Sequence, residues 1–140
     1  MTLRYFVPVL AASLVAAAMA SGAQVQEGTV TAPDGVPIHY VAAGQGPAVV
    51  LVHCWSCDAS YWDATIAALA ADHQVIAVDL AGHGASGLGR ERYTMEAFGQ
   101  DVVAVMKALD GRGAVLGGHS MGGRVVIAAA DAAPDRVVGL

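Results

Sequence analysis

Residues 117–123 read Gly-Gly-His-Ser-Met-Gly-Gly, and they constrain the chain more than any other stretch. Gly118, Ser120 and Gly122 fall in a G-x-S-x-G pattern. An apolar run over 113–116 leads in, and a helical pattern over 124–133 leads out. A strand, a sharp turn and a helix, in that order, form the setting this pattern needs. A serine on such a turn has a strained backbone and a hydroxyl that stands clear of the sheet edge. The flanking glycines remove Cβ atoms that would collide where strand and helix approach closely. The helix that follows offers N-terminal N–H groups to developing negative charge. A glycine-rich turn that carries a serine by chance is the plain alternative, because the motif is short. The flanking patterns narrow that alternative, and two motifs upstream narrow it further.

The rest of the chain alternates strand and helix patterns. Residues 27–32 alternate polar and apolar, with Val30 inward and Thr29 and Thr31 outward. Pro33-Asp34-Gly35 is a turn signal, and 36–42 continue as a second strand with Ile38 and Tyr40 on one face. These two strands predict an antiparallel hairpin at a sheet edge. The run Ala-Val-Val-Leu-Val over 48–52 is unbroken and apolar, as in a strand covered on both faces. A loop over 53–60 precedes a helical pattern over 61–71, which turns Trp62, Ile66 and Leu69 inward. Residues 74–78 are a second buried strand, and 79–92 a glycine-rich loop. Thr94 is the expected N-cap of a helix over 94–109, with Ala97, Phe98, Val102, Val105 and Leu109 as its apolar stripe. Pro134 ends the helix after Ser120, and 137–140 begin another strand. This alternation predicts an α/β fold with a mostly parallel sheet and helices on both faces. A parallel sheet that stops on an incipient strand leaves an open apolar edge, so the chain reads as the N-terminal part of a larger domain.

Composition matters at three points. The chain has 140 residues, 56% of them hydrophobic, which suits one modest globular domain. Its 7 basic and 12 acidic side chains give a net charge of −5 with no basic cluster, which argues against a nucleic-acid partner. Arg4 is the only charge before Glu27, and an apolar run over 5–20 ends in Ala18-Met19-Ala20, with Ser21-Gly22-Ala23 as a second small-residue site. That is the pattern of a secretory signal peptide over 1–23, with the domain over 24–140. The predicted location is secreted or periplasmic; an uncleaved membrane anchor is the alternative. Export would place Cys54 and Cys57 in an oxidising compartment. Their C-W-S-C spacing admits a redox pair, a local disulfide or two free thiols, and offers too few ligands for zinc.

Three segments line up in order: Leu51-Val52-His53 with the loop from Cys54 to Trp62, Asp79-Leu80-Ala81-Gly82-His83-Gly84-Ala85-Ser86, and Gly118-His119-Ser120-Met121-Gly122-Gly123. Together they resemble the α/β-hydrolase superfamily, in its small-molecule esterase, carbon–carbon hydrolase and perhydrolase-like branch, over about residues 27–140. The resemblance implies Ser120 as the nucleophile of an acyl-enzyme mechanism on a small-molecule acyl substrate. It implies the N–H groups of Met121 and Trp55 as oxyanion donors. Cys54 stands where the family's His-Gly-x pattern has glycine. A serine at the elbow disfavours haloalkane dehalogenase and epoxide hydrolase chemistry, which uses aspartate there. The family uses no metal or organic cofactor for this chemistry.

The resemblance also sorts the remaining polar residues. The family's order is nucleophile, acid, then histidine, and no histidine follows Ser120 in these 140 residues. His53 is assigned to hold the oxyanion loop, His119 to shape the elbow, and His83 and Asp79 to order the Gly-His-Gly loop. His39 and His73 read as surface positions, and Asp131 and Asp135 as too early for the triad acid. Trp55 is assigned toward substrate and Trp62 to the core. By itself the 140-residue chain is expected to be inactive or nearly so. Three other readings stay open: a cofactor-free perhydrolase or haloperoxidase-like hydrolase, a non-catalytic binding protein on the same fold, and a redox protein built on Cys54 and Cys57.

Overall fold

The computed structural model describes residues 24–140; the leader expected over 1–23 lies outside them. Six strands form one sheet. They are β1 (Val25–Thr31), β2 (Pro37–Ala43), β3 (Ala48–Val52), β4 (Gln74–Val78), β5 (Ala114–Gly118) and β6 (Val137–Gly139), in the spatial order β1-β2-β4-β3-β5-β6. The first two make an antiparallel hairpin, with Val30 opposite Ile38, and β2 joins β4 antiparallel. The pairs β3–β4, β3–β5 and β5–β6 are parallel.

Helices cover both faces, for the reason the unbroken apolar strands suggest. On one face α2 (Met95–Ala108) and α3 (Met121–Ala132) pack Phe98, Val102, Val125 and Ala129 against Val50, Val52 and Val78. On the other, α1 (Asp63–Leu69) sets Ile66 against Leu51, Val75 and Ala77. The strand β2 contributes to both layers: Ile38, Tyr40 and Ala42 to the first, Val41 and Ala43 to the second.

Element ends differ from expectation where local geometry intervenes. The helix expected over 61–71 divides into a 3-10 turn, Ala59–Trp62, and the shorter α1. Asp58 caps that turn by accepting the Ser60 N–H, which starts it two residues early. Thr94 caps α2 as expected, its hydroxyl accepting the Ala97 N–H at 3.1 Å. Among the described residues no helix is long and apolar enough to cross a membrane.

Candidate active site

The three motifs begin at the carboxyl ends of three adjacent parallel strands. Val52 of β3 pairs with Val78 of β4 on one side and with Gly118 of β5 on the other. The loops that start at His53, Asp79 and His119 therefore leave the sheet in one row. Open α/β sheets place their ligands at this edge.

Ser120 occupies the turn between β5 and α3 with φ 55° and ψ −113°, a backbone conformation that L-residues rarely adopt. Its side chain makes no capping hydrogen bond to α3, and the residue is exposed. The turn is tied to the sheet by the His119 N–H, which donates to the Val52 carbonyl at 3.1 Å. Glycine is required on either side. A Cβ on Gly118 would run into the Gly122 carbonyl, and one on Gly122 into the carbonyls of Val52 and His53. Helix α3 thus starts against the end of β3, with Gly122 packed on the carbonyls of Val52 and His53. Among the described residues neither the Met121 N–H nor the Trp55 N–H has a backbone acceptor.

His53 is fully buried. Its Nδ1–H donates to the Cys54 carbonyl at 2.7 Å, and its Nε2 accepts the Leu80 N–H at 3.1 Å. Accepting an N–H fixes the neutral tautomer with the proton on Nδ1. Burial is the largest influence on this imidazole and holds its pKa below the ordinary value of 6.5. The unfolded chain therefore takes up a proton near pH 6.5, whereas the folded chain waits until a lower pH. Stability conferred by neutral His53 is complete above that value and declines as pH falls through the window beneath it. The slope it adds is at most about 1.4 kcal/mol per pH unit. His53→Gln, measured by urea denaturation of the complete protein between pH 5 and 7.5, should show a shallower pH dependence. Equal slopes in the two proteins would contradict this.

Asp79 is buried, and its carboxylate accepts three bonds. Its carboxylate takes the Ala59 N–H at 2.6 Å, the Ala85 N–H at 2.9 Å and the His39 Nδ1–H at 2.9 Å. Its backbone carbonyl takes the Ser86 hydroxyl, which in turn accepts the His39 N–H. Gly84 packs so tightly on this carboxylate that a Cβ there would overlap it. His39 is therefore not a surface position without a role: its side chain is 16% exposed and clamps β2 to Asp79. The register Tyr40–Val78 puts His39 across from Asp79, a neighbourhood that sequence spacing alone does not reveal. His73 is also half-buried, not a surface residue.

His83 donates to the Ala81 carbonyl at 3.1 Å and lies among the rings of His53, Trp55 and Phe98. His119 stacks on Tyr61 at 5.0 Å and 11°. Trp55 is exposed and lines a cleft of about 430 Å³ with Asp58, His83, Leu88 and Tyr93. Trp62 is half-buried against the α1 face of the core. Cys54 and Cys57, left open by the sequence, form a disulfide.

The sequence reading missed an ion-pair network beneath this edge. Arg90, in the loop after β4, donates to Asp101 of α2 from both terminal nitrogens, the longer bond at 3.0 Å. Its Nε donates to Asp34, in the β1–β2 turn, at 2.6 Å. The guanidinium holds the Asp34 carboxyl below its ordinary range. Asp101 also accepts the Ala81 N–H. The partners lie as far as 56 residues apart, and Arg90 stands beside Glu91 and Arg92 in the sequence, so spacing alone does not mark it out.

Residues 47–140 match the profile of a protein family described as alpha/beta hydrolase fold. The chain is 42% identical over 114 residues to a non-heme chloroperoxidase from Streptomyces lividans, covering 79% of this chain and 41% of that one. It is 35% identical over 100 residues to a pimeloyl-[acyl-carrier protein] methyl ester esterase from Nitrosomonas europaea, covering 71% and 38%. Among solved structures, a thermophilic esterase from Thermogutta terrifontis superposes with a TM-score of 0.73 at 34% identity, covering 80% of this chain and 43% of that one. The chain thus spans about two fifths of the length of these relatives.

Proposed function

This chain belongs to the α/β-hydrolase fold family, and from that premise we propose that it carries the nucleophile and both oxyanion donors of a serine hydrolase acting on an ester or related carbonyl. One observation carries the reading. Ser120 sits at φ 55° on a turn that frees its hydroxyl, at the sheet edge where, among the described residues, the Trp55 and Met121 N–H groups lack backbone acceptors.

In this mechanism the Ser120 oxygen attacks the carbonyl carbon, and the developing oxyanion accepts from Met121 and Trp55. The leaving group departs, an acyl-enzyme remains, and water releases the acid. The proton of Ser120 needs a base. His53 is committed at both nitrogens and His39 is held by Asp79. The triad's acid and histidine then come from outside these 140 residues, as the family's order implies. His53, Asp79 and His83 act by holding loops, not by taking the proton. The substrate is a small acyl compound that needs neither metal nor organic cofactor, and the expected setting is outside the cytoplasm.

The test is a rapid-mixing assay of the complete protein with p-nitrophenyl acetate. An initial burst of about one p-nitrophenolate per Ser120, followed by slower turnover, is the expected result. Folded protein that releases none would overturn the proposal. The likeness to a chloroperoxidase favours one second reading, a perhydrolase using the same Ser120. Peracid formation from acetate and hydrogen peroxide, lost in Ser120→Ala, would distinguish it.

A further inference from the structure

We propose that the Cys54–Cys57 disulfide is a positioning element of the oxyanion hole: it holds the turn that aims the Trp55 N–H, so breaking it lowers turnover while the fold persists. The proposal rests on the serine-hydrolase reading above.

Cys54 to Cys57 form a four-residue turn. The Cys57 N–H donates to the Cys54 carbonyl at 3.2 Å, and the two Cα atoms are 5.3 Å apart. The third residue, Ser56, has φ 57°. Turns with positive φ at that position take glycine or asparagine, because a Cβ is disfavoured there. Serine leaves the turn poorly supported by its own residues. The disulfide joins the first and last residues of this turn.

The peptide between Cys54 and Trp55 is planar and trans, so its carbonyl and its N–H point in opposite directions. Fixing the Cys54 carbonyl therefore fixes the Trp55 N–H. Two donors hold that carbonyl: His53 Nδ1–H at 2.7 Å, and the N–H of Cys57, the bridged residue itself. The Trp55 side chain itself is 67% exposed and meets the edge of the His83 ring. Oxyanion stabilisation depends on donor direction, and loss of one donor lowers kcat about 10²- to 10³-fold. A donor loosened but not removed should lose less.

The experiment compares the complete protein with its Cys54→Ser/Cys57→Ser variant on p-nitrophenyl acetate. Far-UV circular dichroism reports the fold, and fluorophosphonate labelling reports Ser120. The bridgeless variant should show kcat lowered about 10- to 100-fold, KM within about threefold and an unchanged far-UV spectrum. Adding Ser56→Gly to it should recover much of kcat, because glycine accepts the positive φ unaided. A kcat within twofold of the parent, a loss of far-UV helical signal, or no rescue by Ser56→Gly would each overturn the proposal. A folded parent that neither turns over nor labels would remove the serine-hydrolase reading and this proposal together. A parent that does both, beside an unimpaired bridgeless variant, would remove the disulfide proposal alone.

Discussion

Ser120→Ala in the complete protein should lower kcat/KM on a short ester by about 10⁴-fold or more, with a melting temperature close to that of the parent. On the proposed mechanism the nucleophile is lost, and only the oxyanion donors and binding contacts remain to assist attack by water. Alanine keeps a Cβ at φ 55°, so the turn stays as strained as before. Ser120→Gly removes that Cβ. It should be equally inactive yet more stable by about 1 kcal/mol, since glycine adopts positive φ freely. The pair separates the chemical role of the hydroxyl from the conformational burden of the site, because strain stored at a reactive position is relieved only when the residue there is changed. Paired kinetics and urea denaturation check both points. An active Ser120→Ala would contradict the first, and a Ser120→Gly less stable than Ser120→Ala would contradict the second.

Asp101→Ala should cost about 3–5 kcal/mol of folding stability, because it leaves the Arg90 guanidinium buried without its main partner. That is a large part of the 5–15 kcal/mol that typically holds a domain together. Both side chains are almost fully buried, at 0% and 3% exposure, and the phenyl ring of Phe98 lies 5.9 Å from the guanidinium carbon. The network joins three segments: the hairpin turn at Asp34, the loop after β4 and the helix α2. Replacing the pair together, as Arg90→Met/Asp101→Leu, should recover most of the loss, since neither charge is then stranded. Asp34, with 42% of its side chain exposed, contributes less: Asp34→Ala should cost about 1 kcal/mol or below. Denaturant unfolding of the three variants measures this. A cost below 1 kcal/mol for Asp101→Ala would contradict the account of the network.

The sheet was legible in the sequence because its central strands are covered on both faces. Burial there erases the polar–apolar alternation, so Ala-Val-Val-Leu-Val stands out as a continuous run. Thr94 announced α2 because a cap is a local feature, decided within three residues. The start of α3 was obscured. Gly122 and Gly123 have low helix propensity, so the helical pattern begins at Arg124, whereas the helix starts at Met121. Close approach to the end of β3 outweighs propensity at those positions. The turn at Ser120 was likewise readable, since G-x-S-x-G between a strand and a helix leaves few conformations. His39, Arg90 and Asp101 were not readable as partners. Their contacts follow from strand register and from loop paths across 11 to 56 residues, and single-sequence spacing carries no such information. The disulfide stood between: C-W-S-C permitted it without requiring it, and the positive φ of Ser56 shows the turn that brings the sulfurs together.

The proposed mechanism turns on an activated hydroxyl at Ser120. Incubation of the complete protein with a fluorophosphonate, followed by peptide mass spectrometry, tests it most directly. One phosphonylated residue, Ser120, is expected, with labelling abolished in Ser120→Ala and suppressed by saturating ester substrate. A folded protein that stays unlabelled, or that carries the label on another residue, would contradict it.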